Sequence, residues 1–145
     1  MDTKKPKMAE SVKYKIADLA VHSDPRGWLA EMLKADELES DQAIQQIYVA
    51  TIEPGNFRGG HYHKKRIEWF FVIGGQAEIV LEDIKTKERK TIALSPAKPQ
   101  RVTIYPEIAH AVINKGEKTI YLVSAQNNIY DPQNPDTFEY KIIPF

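Results

Sequence analysis

From Tyr14 onward the chain is a succession of short apolar runs broken by turn-forming residues, and no dozen consecutive residues carry a helical repeat. Runs at 28–33, 43–52, 68–73, 77–81, 89–94, 101–105, 109–113 and 119–125 are separated by Pro-, Gly- or charge-rich connections such as EPG, GG, EDIKTKE, SPAKPQ, YPE and NKGEK. Proline and glycine end strands because one lacks a donor and the other adopts backbone angles that side chains resist. The segment ADELESDQ fits one helical turn or a loop. Many short strands at this spacing predict an all-β sandwich or barrel.

The 145 residues suit one domain, and 42% hydrophobic content suffices for its core. A polar stretch at 1–12 reads as a disordered leader, leaving 13–145 as the folded unit. Lys plus Arg and Asp plus Glu number 20 each, so no broad field draws the protein to nucleic acid or an anionic membrane, and neither is expected as a partner. There is no cysteine, so a metal would rest on histidine and carboxylate. No apolar run reaches the roughly 20 residues of a membrane span, and the charged start has no apolar segment behind it, which makes a cytoplasmic protein the expectation.

The stretch GNFRGGHYHKKRIEWFFVIGG concentrates the chemistry. On a strand, His61 and His63 point to the same side and Tyr62 to the other. Glu68 has the opposite parity, but if Lys64 to Ile67 forms a hairpin connection, parity restarts and Glu68, Phe70 and Val72 can share the interior face with the histidines. His110, on a neighbouring strand, could close the cluster. Three imidazoles and a carboxylate suit zinc first, with iron, manganese, nickel and cobalt also accommodated. His22 has no partner in sequence and reads as a surface residue. Trp69 and Phe71 read as packing aromatics.

These residues resemble the two motifs of the cupin superfamily. Gly55, His61, His63, Glu68 and Gly75 match the first at every fixed spacing, and Pro106, His110 and Asn114 match the second, with Glu107 where glycine is usual. The resemblance implies a double-stranded β-helix, or jelly roll, so that 13–145 is one cupin domain with a divalent metal held by His61, His63, Glu68 and His110. Three further segments narrow it. DPRGWLAEMLK resembles the entry strand of dTDP-4-dehydrorhamnose 3,5-epimerases, and FRGGHYH is similar both to those and to dTDP-sugar 3,4-ketoisomerases. NNIYDPQNPDTFEYKI is similar to the closing segment of the cupin domain in bifunctional capsular-polysaccharide enzymes, where it accompanies a fused reductase.

The resemblance implies an isomerase or epimerase acting beside the keto group of a nucleotide-linked 4-keto-6-deoxy-hexose in surface polysaccharide biosynthesis. Such chemistry needs a base, an acid and a positive centre near the enolate oxygen. An imidazole whose lone pair is committed to metal cannot also take a proton. With metal bound, the acid and base are therefore sought among Tyr48, Tyr62, Tyr105, Lys65 and Glu107; without it, His61 or His63 is the natural base, as in a metal-free 3,4-ketoisomerase. Arg58 could fork onto diphosphate oxygens while Gly59 and Gly60 let the ligand approach the backbone. Lys64, Lys65 and Arg66 could assist, although a solvated basic turn accounts for them more simply. An iron or manganese dioxygenase and a non-catalytic sugar-binding cupin remain as readings of other classes. These residues contain no glycine-rich βα fingerprint, so any reduction is expected of a separate reductase or transferase. A homodimer is expected because related cupins pair through sheet edges.

Overall fold

The computed structural model describes residues 14–39 and 41–142; the predicted leader at 1–12 lies outside them. Twelve strands are found among the described residues: β1 (Tyr14–Asp18), β2 (Val21–Asp24), β3 (Gly27–Ala30), β4 (Gln46–Ile52), β5 (Phe57–Tyr62), β6 (Glu68–Ile73), β7 (Ala77–Asp83), β8 (Arg89–Leu94), β9 (Gln100–Ile104), β10 (Ile108–Asn114), β11 (Ile120–Gln126) and β12 (Phe138–Glu139). Two five-stranded sheets, ordered β1-β9-β6-β11-β4 and β12-β5-β10-β7-β8, form the body. All pairings are antiparallel. This is the jelly roll expected from the sequence. ADELESDQ contributes one 3₁₀ turn, Ala35–Glu37. Among the described residues no helix is long and apolar enough to cross a membrane.

Between the sheets lies a core containing Ile52, Phe70, Ile79, Leu81, Val102, Ile104, Val112, Ile120 and Leu122. Fully burying one such side chain contributes roughly 1.5–3 kcal/mol. The second sheet is covered on its outer face too, where Val80, Ala109, Ala111 and Ile142 pack with Phe57, Tyr62 and Tyr140. The chain after β11 supplies that cover. For this reason β10 reads as a nearly continuous apolar run instead of an alternating one.

Two connections differ from expectation. Lys64 to Ile67 is not a hairpin: β5 belongs to one sheet and β6 to the other, so the segment crosses between sheets. The crossing still resets parity, and Glu68, Phe70 and Val72 face the interior. The predicted run at 28–33 ends at Ala30 and pairs back onto β2 around the DPRG turn, where Asp24 Oδ1 accepts from the Arg26 amide at 2.9 Å. The hairpin is a separate two-stranded sheet with Val21, Trp28 and Leu29 exposed.

Two motif residues have structural explanations. Glu107 adopts a left-handed backbone, φ 70°, which is why glycine suits the position; its amide donates to the His63 carbonyl at 2.7 Å. Asn114 is buried and knots the NKGEK turn, donating from Nδ2 to the carbonyls of Ile52 and Lys118 and accepting from the Gly116 amide.

Candidate metal centre

His61 lies one residue from the end of β5, His63 follows the strand, Glu68 opens β6 and His110 lies on β10. A bulge makes the meeting possible. His110 is opposite His61, but the next residue, Ala111, is opposite Gly59, so one residue of β5 is skipped. Gly59 sits at φ 106°, and a Cβ there would stand 2.7 Å from the His110 carbonyl oxygen and 3.0 Å from the Ala111 Cα. The close approach that Gly59 permits is thus to β10 itself. Gly60 is the skipped residue; its carbonyl accepts from the Tyr140 amide at 2.8 Å, and it is absent from the cavity lining.

The ligand atoms of His61, His63 and His110 all lie within 4.8 Å of one another. The His61 ring centroid is 4.9 Å from each of the other two. Glu68 Oε1 stands 3.2 Å from His63 Nε2 and 3.1 Å from His110 Nε2. Carbonyl oxygens fix the far nitrogens: His63 Nδ1 donates to Asp136 at 2.7 Å and His110 Nδ1 to Ile108 at 2.9 Å. Anchoring one ring nitrogen on a backbone carbonyl is how metal-ligating histidines are oriented.

With both Nδ1 atoms protonated, two Nε2 lone pairs face a carboxylate, and such an arrangement calls for a cation, proton or metal, among them. His110 Nε2 is fully buried and meets the carboxylate of Glu68 there. Burial pushes the Glu68 carboxyl up, but hydrogen bonds to it from a proton held between it and the His110 and His63 rings, with their positive charge, outweigh that and hold it well below the usual carboxylate range. Burial, then the neighbouring His110 and His63, pushes His61 down to about 3, so its ring stays neutral with a lone pair to offer. Three converging imidazoles and an ionised carboxylate fit a divalent metal ion.

Two members of the cluster, His61 and His110, help to line a cavity of about 330 Å³ together with Tyr48, Ala50, Arg58, Gly59, Phe70, Val112 and Leu122. Arg58 is anchored through Nε to the Thr51 carbonyl at 2.9 Å. Burial first, and the Glu68 carboxylate second, push the Tyr48 hydroxyl up to about 12. Four other candidates lie elsewhere. Lys65 is exposed, with its backbone amide on Asp136. Tyr105 interacts with Lys15, whose ammonium is 5.9 Å from the ring centroid. Tyr62 stacks on Phe138 at 5.4 Å outside the sheet, and Glu107 pairs with Lys85 at 2.9 Å. Arg66 is buried and donates to Asn128 Oδ1 and the Pro135 carbonyl, so it is neither a phosphate ligand nor part of a solvated turn. Asp136 was not a candidate from sequence: it lies 73 residues from His63 in a proline-rich tail that reads as turns.

A family model described as the polysaccharide biosynthesis C-terminal domain matches residues 22–138. The chain is 36% identical over 121 residues to a UDP-2-acetamido-2,6-beta-L-arabino-hexul-4-ose reductase of Pseudomonas aeruginosa, covering 83% of this chain and 31% of that protein. It therefore spans about a third of that relative's length. It is 31% identical over 127 residues to the spore coat polysaccharide biosynthesis protein SpsL of Bacillus subtilis, covering 84% of this chain and 83% of that one. Among solved structures, a dTDP sugar isomerase from Desulfovibrio desulfuricans superposes with a TM-score of 0.80 over 92% of this chain and 90% of that chain; at 17% identity the likeness shows the cupin fold alone.

Proposed function

The chain belongs to the polysaccharide biosynthesis C-terminal domain family, and from that premise we propose that it is a metal-dependent isomerase or epimerase acting beside the keto group of a nucleotide-linked 4-keto-6-deoxy-hexose. The observation that carries the reading is the convergence of three imidazoles and Glu68, two of them, His61 and His110, lining a cavity whose other walls are largely apolar. A proton on carbon next to a ketone is acidic because the electrons it leaves behind move onto oxygen as an enolate.

His61, His63, Glu68 and His110 would hold the divalent metal, which as a Lewis acid lowers the cost of negative charge on that oxygen. Their lone pairs are then committed, so proton transfer falls to other groups. Tyr48 is the phenol in the cavity wall, and its raised pKa keeps it protonated, an O–H presented to the sugar. Phe70, Val112 and Leu122 offer an apolar surface that suits a 6-deoxy methyl group and would disfavour a 6-hydroxyl. Arg58, held in place by Thr51, is the cation available to a diphosphate. The cavity volume suits a sugar ring, with the nucleotide extending towards the mouth.

A second copy of the chain completes the proposal as a homodimer. Ile47 and Val49 of β4, an edge strand, are 61% and 62% exposed, and Tyr121 beside them is 45% exposed. An apolar surface on a free sheet edge needs a cover. A separate reductase or transferase would consume the product, and work on nucleotide sugars assigns the protein to the cytoplasm.

The experiment measures metal content in protein purified without added metal, then follows ring protons by NMR as UDP- and dTDP-4-keto sugars are incubated in heavy water. Deuterium entering beside the ketone only when metal is bound is the expected result. Exchange that survives full metal removal would replace the proposal with a metal-free ketoisomerase, and binding without exchange would leave a sugar-binding protein.

A further inference from the structure

Asp136 is one of three non-glycine residues with a left-handed backbone among those described, at φ 52°. Asp tolerates this conformation better than most residues, but it still costs about 1 kcal/mol unless something holds it. Its own side chain does so. Oδ1 accepts from the Lys64 amide at 2.8 Å, and Oδ2 accepts from the Lys65 and Arg66 amides at 3.0 Å each. Three successive N–H groups converging on one carboxylate make an anion-holding concavity out of the loop that follows His63. The same residue's carbonyl receives the His63 Nδ1 proton at 2.7 Å.

We propose that Asp136 is a positioning residue of the histidine cluster: its carboxylate fixes the 64–66 loop, and its carbonyl, aimed by the left-handed turn, selects the His63 tautomer that leaves Nε2 facing Glu68. His63 is thereby gripped from two sides by one residue of the segment that wraps the second sheet. Neighbouring bonds of that segment do something different. Asn127 Oδ1 accepts from the Ile67 amide at 2.8 Å, which tethers the same crossing without touching the imidazole. Losing Asn127 loosens the segment; losing Asp136 also frees the ring. The tautomer claim stands whatever cation occupies the cluster, and only the affinity claim rests on the proposed metal.

The test compares Asp136→Ala, Asp136→Asn and the control Asn127→Ala. In metal-free protein, ¹⁵N shifts of the His63 ring report which nitrogen carries the proton; cobalt(II) and zinc(II) titrations then report affinity. The parent is expected to hold Nδ1 of His63 protonated, with any further proton shared between Nε2 and Glu68. Asp136→Ala is expected to mix the tautomers and weaken metal binding about 10–100-fold, the usual cost of losing an outer-shell partner. Asp136→Asn, which keeps an accepting oxygen, should recover part of both, and Asn127→Ala should lower stability while leaving both at the parent's values. A folded Asp136→Ala protein with a single Nδ1–H tautomer and undiminished affinity overturns the proposal, as does an Asn127→Ala protein that loses as much. If Asp136→Ala does not fold, Asp136→Asn is judged by the same two readouts. A parent that binds neither metal refutes the metal reading, while the tautomer still decides the role of Asp136.

Discussion

Replacing Gly59 with alanine tests whether the bulge that brings His61 opposite His110 depends on a missing side chain. Two costs are separable. The first is backbone strain, because φ 106° is unfavourable for any L side chain. The second is collision: the new Cβ would be 2.7 Å from the His110 carbonyl oxygen and 3.0 Å from the Ala111 Cα, both main-chain atoms of β10 that cannot rotate away. Gly55 serves as a control, since it sits at φ 78° with nothing within 4 Å of where a Cβ would stand, so Gly55→Ala incurs strain alone. Strain of about 1–2 kcal/mol, reduced by the about 0.4–1 kcal/mol that alanine gains from a less disordered unfolded chain, leaves Gly55→Ala near 1 kcal/mol. Overpacking adds about 1–3 kcal/mol, so Gly59→Ala is expected to lose about 2–4 kcal/mol. With an m-value of about 1–3 kcal/mol/M, urea unfolding followed by circular dichroism should show a midpoint lowered by about 1–2 M. Zinc affinity should fall for Gly59→Ala and hold for Gly55→Ala, because only the former displaces the strand bearing His110. Equal losses of stability in the two variants would refute the argument, since the collision would then contribute nothing.

Glu107→Gly should change stability by less than about 1 kcal/mol, because release of the strain at φ 70° is offset by the more disordered unfolded chain that glycine brings and by loss of the Lys85 ion pair; a loss well above that would contradict this. In metal-free protein, His61 is neutral when folded and protonates in the unfolded chain below about pH 6.5, so the unfolded state binds more protons and stability falls as pH drops from 6.5 towards 3. The slope from this residue approaches about 1.4 kcal/mol per pH unit, and Glu68, whose depressed carboxyl acts in the same direction, adds to it below about pH 4.5. His61→Gln should flatten the upper part of that profile, and an unchanged profile would show that burial of His61 is not what sets it. Tyr48→Phe should lower kcat by about 10²-fold or more while leaving metal content intact; a parental kcat would remove Tyr48 from the proton path. Val49→Glu should convert the proposed dimer to a monomer by light scattering; a parent that is already monomeric would refute the dimer, and a variant that stays dimeric would move the interface off β4.

Local pattern and spacing made a good part of this protein legible. The runs at 68–73 and 89–94 coincide with β6 and β8, because in each case the bounding turn residues stop the ladder where apolar residues end. Side-chain alternation, a local property of extended backbone, put His61 and His63 on one side, while the inclusion of Glu68 and His110 followed from the likeness to the cupin motifs. Lys65 and Tyr105 could not be removed from the list of candidates in this way. Their direction depends on where the chain goes after a strand ends, and that is decided by contacts with Asp136 and Lys15, distant in sequence.

The sequence by itself determined that the chain is a β domain, because strand periodicity is written in neighbouring residues, and its likeness to the cupin motifs pointed to the four side chains that the structure brings together. The tertiary structure decided how those side chains are held: the skipped residue at Gly60, the crossing of 64–67 between sheets, the burial of Arg66 and the grip of Asp136 on His63. Each of these joins backbone groups from segments far apart in the chain. Backbone amides and carbonyls are the same at every residue, so no pattern of side chains announces which of them will meet.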